Sequence, residues 1–157
     1  MKPAPFQYFA PTTISETLDL LAQYGADAKL LAGGQSLVPT MNFRLATPTL
    51  LIDLNRVGEL AYTQPRDHAI AIGAMTRQRA VERDAAVGRI APLVAETMPF
   101  IAHPQIRNRG TFGGNLAHAD PASELPAVAI ATSAKLKAKS AKQERWIDAK
   151  DFFVGLF

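Results

Sequence analysis

The 157-residue sequence contains no cysteine. That excludes disulfides, thiolate nucleophiles and cysteine-ligated iron–sulfur clusters from this chain. Its three histidines, His68, His103 and His118, are scattered, and none sits in an H-x-x-x-H or H-E-x-x-H pair. No metal site is expected. No apolar run reaches the ~20 residues of a membrane-spanning helix. Residues 1–11 carry one lysine, three prolines and no continuous apolar stretch. They do not read as a signal peptide, so a cytoplasmic location is expected. Charge of one sign is also lacking: 17 basic residues face 14 acidic ones, a net of +3. The densest basic stretches, residues 77–79, 107–109 and 135–145, carry no interleaved aromatic ladder on which bases could stack. A nucleic-acid partner is therefore set aside. No general acid or base stands out, and no catalytic residue is assigned.

What is present is a core-forming composition, 48% apolar, enough to exclude wholesale disorder. Thr13-x-x-Glu16 reads as a capping box, with Glu16 reaching back to a second orphan N–H. Ile14, Leu18 and Leu21 follow at helical spacing, and Gly25 marks the end. The spacing predicts an amphipathic helix over residues 14–24 with its apolar face in the core. Strands are expected at residues 29–31, 50–54 and 69–73. Residues 76–84 and 86–101 read as helical, broken by Pro92 at a helix N1 position. A short helix is expected at residues 126–131. Residues 136–140 and 145–148 read as a hairpin with its turn at 141–144. The order suggests an α+β fold of two lobes, residues 1–55 and 56–157, with the boundary near 55–64. Residues 151–157 are unusually apolar for a terminus. Either the segment packs on the core or the chain is part of a longer protein, and the second is expected.

Two glycine clusters carry the chemistry. The first is Ala32-Gly33-Gly34-Gln35-Ser36, running into Leu37 directly after a strand. The second is Thr111-Phe112-Gly113-Gly114-Asn115. A pyrophosphate needs donors at close range, and curled backbone N–H groups supply them without lysine. Glycine allows both the curl and the close approach. Ser36, Thr111 and Asn115 add hydroxyl and amide donors. The Walker pattern G-x-x-x-x-G-K-[ST] is missing, and so is the G-x-G-x-x-G fingerprint. The residues alone thus point to a dinucleotide or phosphorylated ligand held outside the Rossmann arrangement.

Residues 31–39, Leu-Ala-Gly-Gly-Gln-Ser-Leu-Val-Pro, resemble the first FAD loop of the flavoprotein (medium) subunits of molybdenum hydroxylases, the carbon monoxide dehydrogenase and xanthine dehydrogenase type. Residues 105–115, Gln-Ile-Arg-Asn-Arg-Gly-Thr-Phe-Gly-Gly-Asn, resemble the second. Residues 119–126, Ala-Asp-Pro-Ala-Ser-Glu-Leu-Pro, are similar to the segment that follows. Residues 6–8 with Pro11, 51–54 and 72–76 sit in the same order, so the resemblance covers nearly the whole chain. It implies a two-lobed FAD-binding domain of the vanillyl-alcohol-oxidase-like type. The pyrophosphate would lie between residues 32–36 and 111–115, with Leu37, Asp120 and Glu124 also at the cofactor. Glu124 stands where many members have Asp, and Phe112 where a small aliphatic residue is more usual. The implied function is electron transfer: FAD takes electrons from iron–sulfur clusters and passes them to an external acceptor. Molybdopterin and the clusters would sit on a large and a small partner subunit. The chain would be an N-terminal fragment of the medium subunit, its C-terminal domain absent. The alternative is a truncated, non-catalytic docking module of the same complex. A free-standing oxidase of the vanillyl-alcohol type fits less well, since it needs a substrate domain.

Overall fold

A computed structural model describes residues 2–154. Three parallel strands form the first sheet: β1 (Gln7–Phe9), β2 (Ala28–Leu31) and β3 (Leu50–Asp53), in the order β1-β3-β2. Leu50, Leu51 and Ile52 are all buried, as expected of a central parallel strand covered on both faces. Parallel neighbours need crossovers. Here they contain α1 (Ile14–Tyr24) and α2 (Leu37–Asn42).

The first helix has the expected limits, and Gly25 ends it at φ +54°. Its cap differs in one detail. Thr13 Oγ1 accepts from the Glu16 N–H, but Glu16 reaches back one residue further, accepting from the Thr12 N–H at 2.7 Å. Its apolar face is also less deep than expected. Only Thr17 is buried, while Ile14, Leu18 and Leu21 are half-buried.

β4 (Thr63–Arg66) and β5 (Ala69–Ile72) form a hairpin. Five short helices follow: α3 (Gln78–Arg83), α4 (Ala85–Ile90), α5 (Pro92–Thr97), α6 (Pro104–Arg109) and α7 (Phe112–His118). Asp84 separates the first two, its carboxylate accepting from the Ala86 and Val87 N–H groups. Pro92 does occupy the start of a helix, and the residues before it form a separate helix, α4, that ends at Ile90. The short helix expected at residues 126–131 starts earlier, as α8 (Glu124–Ala131). The terminal hairpin is β6 (Lys135–Lys139) and β7 (Glu144–Asp148), with α9 (Ala149–Phe152) behind it. The α+β class holds.

Two hydrophobic clusters organise the packing. Leu54, Val57 and Met75 form one, with Ile14, Ala32 and Leu60 against it. Val81, Val87, Val94, Met98, Leu116, Leu125 and Val128 anchor the other. Phe153 packs on this second cluster, and Val154 is exposed. The remaining apolar residues of the terminal segment, 155–157, lie outside the described residues.

Candidate functional site

The first glycine cluster is a tight turn between β2 and α2. Gly34 adopts φ +73°, a conformation that glycine takes without strain. The N–H groups of Gly34, Gln35 and Ser36 make no hydrogen bond among the described residues. Their donors are free to meet an anion. Gln35 folds its side chain back, donating to the Gly33 carbonyl at 3.0 Å. Ser36 precedes α2 without capping it, and half-buried Leu37 is the first residue of that helix.

The second cluster is not a loop. Thr111 caps α7, its Oγ1 accepting from the Gly114 N–H at 3.1 Å. The Phe112 N–H donates to the Thr76 carbonyl and the Gly113 N–H to the Ala74 carbonyl. Backbone donors that were expected to cradle phosphate are thus satisfied by protein. What remains for a ligand is different in kind: the Nδ2 group of half-buried Asn115, which has no acceptor among the described residues, whereas Thr111 is fully buried beneath the helix it caps. Asn115 is oriented by the Ser123 hydroxyl, which donates to its Oδ1 at 2.7 Å.

The glycines bring the clusters into contact with each other. A β-carbon on Gly33 would lie 2.6 Å from the Arg109 carbonyl oxygen and 2.8 Å from Gly110 Cα. One on Gly114 would lie 3.2 Å from Ala32 Cβ, and one on Gly113 would overlap Ala74. Close approach is required here, but the approaching group is protein. For these three positions that replaces the expectation that glycine makes room for phosphate.

A cleft of about 320 Å³ opens beside the first cluster. Ala32, Gly33, Gly34 and Gln35 line it together with Val38, Asn42, Asp53, Asn55 and Arg109. Thr111, Gly113, Gly114 and Asn115 do not line it. Asp120 lies on the connection between α7 and α8, its carboxylate accepting from the Ala122 N–H at 2.8 Å, and half-buried Glu124 is the first residue of α8, its side chain making no hydrogen bond among the described residues. A second cleft, about 390 Å³, lies on the other side of Asn55 and is lined by Tyr62, Thr63, Arg77 and Asp84.

Asp53, Asn55, Arg77 and Arg109 were not anticipated at the site. A signal existed for each: Asp53 and Asn55 end the apolar run of β3 in a D-x-N pattern, and both arginines fall in basic stretches noted for their charge. The Tyr8 hydroxyl donates to Asp53 at 2.5 Å. That bond, with the nearby carboxylate charge, raises the Tyr8 phenol above its usual range. Burial and the Arg109 charge draw the Arg77 guanidinium down, with Asp53 opposing. Arg107 is structural. It is buried and donates to Glu82 at 2.9 Å and to the Ile101 carbonyl at 2.9 Å. Burial disfavours the charged form of Glu82, but hydrogen bonds from Arg79 and Arg107 outweigh it and hold the carboxyl below the usual range. No cluster of three metal-ligating side chains occurs among the described residues.

Residues 4–157 match the family described as the FAD binding domain in molybdopterin dehydrogenase. The chain belongs to this family. It is 48% identical over its whole length to the 6-hydroxypseudooxynicotine dehydrogenase complex subunit alpha of Paenarthrobacter nicotinovorans, covering 53% of that protein. It is 43% identical to the carbon monoxide dehydrogenase medium chain of Hydrogenophaga pseudoflava, covering 55%. A solved carbon monoxide dehydrogenase from H. pseudoflava, lacking the Mo-pyranopterin moiety of its cofactor, superposes with a TM-score of 0.96 at 44% identity. That match covers 99% of this chain and 54% of the other. Quinoline 2-oxidoreductase from Pseudomonas putida 86 also reaches 0.96, at 36% identity, over 99% of this chain and 54% of that one. The chain spans about half the length of these members of the molybdopterin dehydrogenase FAD-domain family. No helix among the described residues is long and apolar enough to cross a membrane.

Proposed function

We propose that this chain holds the pyrophosphate of FAD between Ala32–Ser36 and Thr111–Asn115, as part of a molybdenum-hydroxylase flavoprotein subunit. The observation that carries the reading is the pairing of a row of free backbone donors, at Gly34, Gln35 and Ser36, with a second cluster in direct contact with it. The donor set fits a pyrophosphate. Backbone N–H groups would meet one side and the Asn115 amide the other, with Thr111, fully buried, fixing the turn that presents Asn115. Arg109 at the cleft wall adds positive charge. The same reading assigns Asp120 and Glu124 to the remainder of the dinucleotide.

When bound, the flavin would supply two-electron chemistry, taking electrons from iron–sulfur clusters and delivering them to an external acceptor. This chain contributes binding, orientation and electrostatics. Its partners are a large molybdopterin subunit and a small iron–sulfur subunit, as the "complex subunit" and "medium chain" names of the relatives suggest. The complex is placed in the cytoplasm. The same reading divides the chain into lobes 1–55 and 56–157 around the dinucleotide, a division that limited proteolysis within 55–64 would support.

The test is a titration of the chain with FAD, followed by flavin absorbance and fluorescence, with FMN alongside. Saturable FAD binding with FMN much weaker is expected, because FMN lacks the pyrophosphate. A folded chain that binds no flavin would sink this reading and favour the docking module.

A further inference from the structure

Arg77 belongs to neither glycine cluster, yet it reaches the approaches to both. Its Nη1 donates to the carbonyl of Arg109, just before Thr111, and its Nη2 donates to Asn55 Oδ1 at 2.6 Å. Asn55 Nδ2 donates in turn to the Ala32 carbonyl at 3.0 Å. Two side chains therefore join the peptide that opens the first cluster to the peptide that leads into the second. The middle of this strap is itself fixed. The Asn55 N–H donates to Asp53 Oδ1 at 2.9 Å, and the Tyr8 hydroxyl holds the other carboxylate oxygen.

The geometry suits arginine in particular. A planar guanidinium offers donors at fixed angles and can satisfy two acceptors at once, whereas a lysine ammonium is a single point charge. The packing of Gly33 on Gly110 sets how closely the clusters can approach. It does nothing to keep them from parting, and the strap supplies that restraint. We infer that Arg77 and Asn55 are positioning residues that hold the two glycine clusters at the separation a pyrophosphate requires. They act through the Ala32 and Arg109 carbonyls, and they raise affinity by arranging the donors before the ligand arrives. The inference rests on the flavin reading above.

The experiment compares FAD dissociation constants for the full chain and its Arg77→Lys, Asn55→Ala and doubly substituted forms, with the melting temperature of each flavin-free form. Each single change is expected to weaken FAD about tenfold. The double form is expected to be no weaker than the weaker single one, since a strap broken at one point is broken. Lysine retains the charge, so parental affinity in Arg77→Lys overturns the inference. Losses that multiply in the double form overturn it too. So does a fall in melting temperature with affinity unmoved, which is what a merely structural strap would give. If Arg77→Lys does not fold, Asn55→Ala decides alone: weakened binding supports the strap and unchanged binding overturns it. Failure of the parental chain to bind FAD overturns the flavin reading and the strap together. Parental binding with unmoved variants overturns the strap only.

Discussion

Replacing Gly33 with alanine puts a methyl group where the two clusters touch. Its carbon would lie 2.6 Å from the Arg109 carbonyl oxygen, 2.8 Å from Gly110 Cα and 3.1 Å from the Thr111 nitrogen. Comfortable contacts begin near ~3.5 Å, so the segments must part by roughly 0.5–1 Å. All three obstructing atoms are backbone, and no side chain can rotate out of the way. Overpacking of this kind costs about 1–3 kcal/mol. For a chain of this size that is a fall in Tm of roughly 3–10 °C. Affinity for FAD falls as well. Loss of one charge-assisted hydrogen bond, worth about 1.5–3 kcal/mol, weakens binding roughly 10–150-fold. Thermal melting by circular dichroism and a fluorescence titration with FAD read the two effects. Gly88→Ala is the control. Gly88 is an exposed glycine inside α4, with nothing within 4 Å of an added β-carbon. Alanine there should stabilise by about 0.5–1 kcal/mol. A Gly33→Ala chain with parental Tm and parental affinity would refute the packing argument. A lowered Tm with affinity intact would show that the contact between clusters serves the fold alone.

Arg107→Met should lower stability by about 3–5 kcal/mol in denaturant titrations, because it leaves Glu82 and several carbonyls without their partner; a loss under about 1 kcal/mol would contradict the buried-pair account. Glu82 sets a pH dependence. Its carboxyl is held below the ordinary range, so the stability it contributes is complete above the ordinary carboxylate pKa and is lost as pH falls through its folded-state value. The Tm of Glu82→Gln should therefore fall less steeply in acid than that of the parent, and parallel curves would show that the group is not responsible. Asn115→Ala should weaken FAD by about 1–3 kcal/mol, as expected for a lost buried partner, and an unaltered dissociation constant would remove Nδ2 from the site. Glu124→Asp should bind FAD as well as the parent or better, and a large loss would mean that the backbone is placed for the longer side chain.

The helix Ile14–Tyr24 was legible because its signals are local: a hydroxyl cap, a 3.6-residue period and a terminal glycine all agree. The central strand was legible from an apolar run too short for a helix. Elements that depend on tertiary contact were not. Gln7–Phe9 is a strand only because it pairs with Leu50–Ile52. Tyr8 and Gln7 are exposed, so no alternation marks it. Thr63–Arg66 contains Pro65, which argues against a strand until Ala69–Ile72 folds back onto it. The second glycine cluster was misread in conformation. Two adjacent glycines suggested a loop, whereas the Thr111 cap and the partners Ala74 and Thr76, some forty residues upstream in sequence, make it the first turn of a helix. Of the site, the first cluster could be read from sequence because its free donors follow from local curling. The strap through Asn55 and Arg77 could not, since its members are far apart in sequence and meet only through tertiary contact.

The central claim is that a pyrophosphate lies between the two clusters, and a crystal structure of the FAD complex tests it most directly. The account predicts pyrophosphate oxygens within hydrogen-bonding distance of at least two of the Gly34, Gln35 and Ser36 N–H groups, and of Asn115 on the opposite side. A dinucleotide seated elsewhere, for instance in the cleft beside Tyr62 and Asp84 with the Gly34–Ser36 donors left to water, would contradict it.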